Sequence, residues 1–183
     1  ATWIESRATP SLSAYEAINQ IPENRYILLS TSDHALLTPQ IIDYFCTKAA
    51  ETRCDVVAAL APHEKVMAAY PKTSRTAYRF KDGSYCSCNL FAFLTPQSRS
   101  VPSFWRRVEQ QRKKPQRIIS MLGWTTVFRY LTGNLSLSGA VEQISHTWGC
   151  RAAIVVMPYA EAAIDVDSAE DLHLARNIAA NKP

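Results

Sequence analysis

Apolar and polar positions along this chain alternate between two periods. "YILLSTS", residues 26–32, is a near-continuous apolar run that stops at small polar residues, as expected of a parallel strand covered on both faces. "DVVAALAP" (55–62), "NLFAFL" (89–94) and "AAIVVMP" (152–158) repeat that pattern, and "AAIDVD" (162–167) is a shorter version. "TWIE" near the start is short and β-prone. Between the runs the spacing turns helical. Leu12, Tyr15 and Ile18 predict a helix over about 11–20, with Ser13-Ala-Tyr-Glu16 at capping-box spacing. Thr38 and Pro39 open a second helix whose buried stripe is Ile41, Ile42, Phe45 and Ala49. Asp82-Gly83, between alternating segments, reads as a hairpin turn that leads an antiparallel flap into "NLFAFL". Residues 103–148 read as helices: one with Trp124, Val127, Phe128 and Leu131 inward and Gly133 as its stop, the next capped by Ser136. Ser168-Ala-Glu-Asp171 opens a last helix.

Strand, helix, strand is the βαβ unit, so the fold class expected is three-layer α/β/α with a mainly parallel sheet. A chain of 183 residues fits one domain over 1–183. Composition narrows the choice without deciding it. Hydrophobic residues at 47% and charged residues at 20% suit a globular protein, and no apolar run is long enough for a transmembrane segment. A net charge of +4 suits an anionic partner only weakly. The densest basic run, Arg106, Arg107, Arg112, Lys113, Lys114 and Arg117, reads first as a solvated helix face; no recognition motif supports nucleic acid as a partner. Five cysteines, an odd set in a chain of this size, read as reduced thiols of a cytoplasmic protein, with Cys86 and Cys88 alternating along a strand rather than binding zinc. No nucleophile elbow is present, and Cys150 has no base beside it. A homo-oligomer is compatible with all of this.

The chemistry on offer is in the carboxylates. Asp33 lies just past a buried strand, in a loop leading to a helix, where ligands of open α/β sheets bind. There it either holds Mg²⁺ or ties down its loop through backbone amides. Asp165 and Asp167, two apart, share a face if "AAIDVD" ends a strand. Either of them can share a metal with Asp33; the alternative makes Asp167 or Ser168 a helix cap and Asp165 a solvated residue.

"LLSTSDHALLTPQIIDYF" and "AIDVDSAEDLHLA" resemble the acidic loop and the closing D-[IV]-D-[TS]-x-E-D-L motif of MobA-like nucleotidyltransferases, in the expected order. "YPKTSRTAYRFKDGSYCSCNLFAF" is similar to a bacterial subgroup in which Lys-Asp-Gly precedes Gly-x-Asn-Leu-Phe. The resemblance implies a GT-A-like, Rossmann-like nucleotide-binding fold. It further implies transfer of NMP from an NTP to a phosphorylated small-molecule acceptor, with pyrophosphate released. Carried over, Asp33 and Asp167 are the catalytic metal ligands for Mg²⁺, with Asp165 beside them. Ser11 and Ser13 fall where such enzymes touch the base, although helix capping explains both equally well. Arg75, Arg79 and Lys81 around the hairpin could grip an acceptor phosphate, and Asn89 could contact acceptor or nucleotide. His34 stands where sugar- or polyol-phosphate cytidylyltransferases can carry histidine, and otherwise reads as a loop hydrogen-bonder.

One departure from the pattern is severe. The family's glycine-rich phosphate loop, L-A-G-G-x-x-x-R-x-G-x-x-K, does not occur in this sequence. The expectation is therefore an N-terminally incomplete domain, its first strand and phosphate loop lying before Ala1. The alternative is a non-catalytic nucleotide- or phosphate-binding regulatory homologue, because that loop supplies the N–H groups and the cation that a triphosphate needs.

Overall fold

The first helix begins where proline wants it. In the computed structural model, which describes residues 3–71, 73, 75–110 and 123–180, α1 spans Pro10–Gln20. The Thr9 hydroxyl accepts from Leu12 N at 3.3 Å, and Pro10 sits in the first turn, where no N–H is needed. The cap is thus Thr9 and not Ser13, whose hydroxyl accepts from Arg7 N and donates to Thr9 O. Trp3 to Glu5 form no strand. Thr38 and Pro39 open α2 (Pro39–Glu51) in the same way, as the sequence predicts, and bury Ile41, Phe45 and Ala49.

Five strands form the sheet: β1 (Ile27–Ser30), β2 (Val56–Pro62), β3 (Tyr78–Phe80), β4 (Gly83–Phe93) and β5 (Ala152–Val156), in the order β1-β4-β2-β5 with β3 hairpinned onto β4. Only β2 and β5 pair in parallel; β4 runs antiparallel to β1, β2 and β3. The sheet is therefore mixed and mostly antiparallel, which corrects the expectation of a mainly parallel one. The reason is physical: an apolar run reports burial on both faces, not direction. β1, β2 and β5 do share a sense, but β4 enters from the hairpin between β1 and β2 with the opposite one, so β1 and β2 are not neighbours. β1 is an edge strand among the described residues, with Leu28 40% exposed. "AAIDVD" is not a strand either. It is the end of a 3-10 turn, Ala160–Ala163, followed by extended chain.

The hairpin occurs as expected, but its turn is Lys81-Asp82, one residue before the Asp82-Gly83 read from the sequence, with Gly83 already paired to Phe80 as the first residue of β4. Lys81 N donates to Leu135 O at 2.8 Å, and Asp82 Oδ1 accepts from Leu137 N at 2.9 Å, which pins the turn to the start of a later helix.

The remaining α-helices among the described residues are α3 (His63–Ala69), α4 (Val101–Gln110), α5 (Trp124–Leu131), α6 (Leu137–Trp148) and α7 (Ala169–Ala180). Alternation along β2 and β4 sends side chains to two cores. Val57, Ala59, Ala61, Cys86, Cys88, Leu90 and Ala92 pack with α2, α3 and α7. Val56 and Phe93 pack with Ile18 of α1, Val101 at the start of α4 and Trp148 of α6. Helices thus cover both faces, the three layers expected. Asp55 staples three strand ends: its carboxylate accepts from Arg151 N at 2.7 Å and Thr95 Oγ1 at 3.0 Å, and its carbonyl accepts from Leu94 N at 2.8 Å.

α5 departs from its expected role. Its stripe residues Trp124, Phe128 and Leu131 are 66, 68 and 77% exposed, and the helix buries none of its residues among the described ones. Gly133 does end it, with φ 70°, which glycine adopts without cost.

Candidate functional site

Asp33 lies in the loop between β1 and α2, beyond the carboxyl end of β1. Its carbonyl accepts from Val166 N at 3.0 Å, which lashes this loop to the extended segment after the 3-10 turn. Val166 is flanked by Asp165 and Asp167, so one backbone bond brings three carboxylates together. Ligand oxygens of Asp33, Asp165 and Asp167 all lie within 4.8 Å of one another. The structure thus unites residues far apart in sequence, although not through the strand end that the spacing of Asp165 and Asp167 suggested. Asp33 Oδ1 is buried and has no hydrogen-bond partner among the described residues. A buried carboxylate oxygen left unpaired is costly, and two neighbouring anions raise that cost.

These residues fit a divalent cation. Hard cations take carboxylate oxygens, and Asp33, Asp165 and Asp167 offer three of them in one small volume.

β4 supplies the next group. Between the pairs Ala58↔Phe91 and Leu60↔Ser87, β4 carries two more residues than β2. Asn89 sits in that bulge with φ 47°, a conformation asparagine tolerates better than most residues. Its Nδ2 donates to Asp165 Oδ2 at 2.9 Å, and the Ser87 hydroxyl donates to its Oδ1 at 3.2 Å.

Arg75 comes from the loop after α3, and its side chain is 9% exposed. Nη1 donates to Asp165 Oδ1; Nη2 donates to Asp165 O and to Asp171 Oδ1, each at 2.7 Å; Nε donates to Thr73 Oγ1 at 3.1 Å. Sequence reasoning placed Arg75 on an acceptor phosphate and saw Asp171 only as part of a helix cap. The cap exists: the Ser168 hydroxyl accepts from Asp171 N at 3.2 Å and donates to Asp171 Oδ2 at 2.7 Å. Burial alone would raise the Asp171 carboxyl. The Ser168 hydroxyl, the charge of Arg75 and the amides of Asp167 and Ser168 together outweigh burial and hold it below the usual carboxylate range.

His34 is 7% exposed, beneath the acidic loop. Its Nδ1 lies 3.5 Å from the Ser30 hydroxyl, and Nε2 lacks a hydrogen-bond partner of good geometry. Burial lowers its pKa, more than the nearby backbone of Ala162 and Glu161 and the charge of Asp33 raise it.

Two clefts meet at the acidic cluster. The larger, about 680 Å³, is lined by Asp33 and Asn89, by Leu29 and Phe91 of the sheet, by Ser11, Ser13, Ala14 and Ala17 of α1, and by Trp105 and Glu109 of α4. The smaller, about 220 Å³, lies between Arg75, Thr76, Tyr78, Ser87, Asn89, Asp165 and Asp167. Ser11, Ser13 and Asp33 therefore share one cleft. Ser11 donates to Glu109 of α4, a partnership with no sequence signal, as is the role of Trp105, which sits against Phe91 with ring centroids 5.0 Å apart. Arg79 and Lys81 line neither cleft and are exposed on the hairpin. Of the basic run, Arg106 lies 4.8 Å over the Tyr15 ring and Arg107 5.6 Å over Phe104; Arg112, Lys113, Lys114 and Arg117 lie outside the described residues. All five cysteines are free thiols. Among the described residues no helix is long and apolar enough to cross a membrane.

No family model matches the chain, and no curated protein does. Among solved structures, one described as a hypothetical transferase from Thermus thermophilus is similar, with 29% identity and a TM-score of 0.81 over 91% of this chain and 71% of that one. The architecture that presents the acidic cluster is therefore shared with that protein.

Proposed function

We propose that this chain is a Mg²⁺-dependent nucleotidyltransferase of MobA-like type, moving NMP from an NTP to a phosphorylated small-molecule acceptor and releasing pyrophosphate. One observation carries the reading: the oxygens of Asp33 and Asp167, one of them buried and unpartnered, come together at the junction of a large and a small cleft. Similarity to a protein described as a hypothetical transferase supports transfer chemistry in general. The specific reaction rests on the site and on the motif resemblance.

In this reading the nucleoside lies in the larger cleft, its base against Phe91 and Trp105, with the hydroxyls of Ser11 and Ser13 at the rim. The acceptor enters the smaller cleft past Thr76, Ser87 and Asn89. An acceptor phosphate oxygen forms a bond to the α-phosphorus, while the bond from that phosphorus to the bridging oxygen breaks and its electron pair leaves with pyrophosphate. A phosphate nucleophile is already ionised at neutral pH, so the site needs no general base, and positioning supplies much of the rate. Asp33 and Asp167 would hold Mg²⁺, which when bound offsets negative charge on the phosphates. The test is pyrophosphate release with each NTP and a panel of phosphorylated acceptors. The expected result is release with at least one pair, dependent on Mg²⁺ and lost in Asp33→Asn.

A second reading has an observation of its own. Among the described residues no lysine or arginine lines the larger cleft, and a triphosphate is normally gripped by cations and N–H groups. A regulatory module that binds nucleotide without turning it over meets that fact directly. Saturable NTP binding with no pyrophosphate released under any pairing would favour it.

A further inference from the structure

The three carboxylates of the cluster are not equivalent, and the difference lies in what already occupies their oxygens. Asp165 Oδ1 accepts from Nη1 of Arg75, and Oδ2 accepts from Asn89 Nδ2 at 2.9 Å. Its carbonyl is held as well, by Arg75 Nη2 at 2.7 Å. Asp33 Oδ1 is buried with no donor, and Asp167 is exposed, with only its backbone N–H engaged by Asp171 Oδ2 at 3.3 Å among the described residues. Arg75 cannot easily turn away. Its Nε is engaged by Thr73 and its Nη2 by Asp171, whose carboxylate is anchored in turn at the start of α7. A guanidinium paired with carboxylates in a largely buried place is bound more firmly than one on the surface.

We infer that Asp165 is not a metal ligand but the counter-ion that Arg75 and Asn89 keep, so that the cluster takes a single divalent ion through Asp33 and Asp167. This deepens the proposed metal site and rests on it. Asp165 is then a positioning residue: it holds the backbone that carries Val166 and Asp167 against Arg75, while Val166 N holds the Asp33 loop. Arg75 likewise acts through Asp165 and Asp171 and not on an acceptor phosphate. For Asp165 to join the ion, it would have to share Oδ1 with the cationic Nη1 of Arg75, which repels the ion in the same space, or give up to the ion the Oδ2 that Asn89 Nδ2 holds at 2.9 Å.

Mn²⁺ titration of the full chain, followed by the loss of the free-ion paramagnetic resonance signal, decides the matter without any need for turnover. The expected result is one Mn²⁺ per chain. Asp33→Asn and Asp167→Asn each lose affinity by well over about 100-fold, whereas Asp165→Asn, which keeps an oxygen for Arg75, stays near the lower end of the about 10–100-fold of an outer-shell change. In an Arg75→Met background the freed Asp165 carboxylate turns to the ion, so Asp165→Asn now costs at least about tenfold. Circular dichroism and thermal unfolding check that each variant is folded; should Arg75→Met fail to fold, the three single carboxylate variants still decide. A loss in Asp165→Asn as large as in Asp33→Asn, or two Mn²⁺ ions in the unaltered chain, overturns the inference and leaves the metal site standing. No Mn²⁺ binding by the unaltered chain removes the metal site and the inference with it.

Discussion

Asp33 shows how little of a site one residue declares. Its place after an apolar run marks it in the sequence, but the buried oxygen without a donor belongs to the folded chain. Replacing it with asparagine removes one of three crowded anions, so we expect pyrophosphate release to fall by about 10²-fold or more while the melting temperature holds or rises. A large drop in melting temperature would instead make Asp33 a loop anchor, the other role its position suggests. Asp171 gives a pH prediction. Its folded carboxyl titrates below the ordinary range despite burial, because Ser168, Arg75 and two amides favour the charged form. A carboxylate with a folded value below its unfolded one of about 3.9 stabilises the fold at neutral pH and loses that contribution as the pH falls through the acid range. Asp171→Asn should therefore be less stable than the unaltered chain near neutrality and approach it in acid. Thermal unfolding of both proteins across that range checks this, and a constant gap would assign the loss to packing.

Elements were legible wherever their signals are local. The Thr-Pro start of α2 lies where its side chains dictate, and the hairpin turn falls one residue early, at Lys81-Asp82, because a cap or a tight turn is settled within four residues. What failed was pairing. β4 carries the same apolar signature as its neighbours but runs against them, since its direction comes from the hairpin before it and its register from a bulge at Asn89. "AAIDVD" failed for a related reason: its alanines are buried in a 3-10 turn, where close packing favours small residues as strongly as a strand favours branched ones. Asp55, passed over in the sequence as the first polar residue of a run, joins the ends of β2, β4 and β5. Asp55→Ala leaves Arg151 N and Thr95 without their acceptor, and we expect a loss of about 2–3 kcal/mol in urea unfolding, with Mn²⁺ binding unchanged. A loss below about 0.5 kcal/mol would place it among ordinary surface residues.

Across the whole molecule, periodicity tells helix from strand but not which helices the core needs. Phe45 of α2 is fully buried, whereas Phe128 of α5, equally apolar and equally well spaced, is 68% exposed. Phe45→Ala should cost about 3–5 kcal/mol and Phe128→Ala less than about 0.5 kcal/mol; equal losses would put Phe128 in a covered position. The sequence by itself determined the three-layer α/β arrangement, the Thr-Pro start of α2 and the two acidic segments, because these follow from residue type and short-range spacing. Only the tertiary structure decided the mixed sheet, the meeting of Asp33 with Asp167, and the pairing of Arg75 with Asp165 and Asp171. Each of those depends on chain segments distant in sequence sharing one small volume, and no local pattern encodes which distant donor a carboxylate will find there.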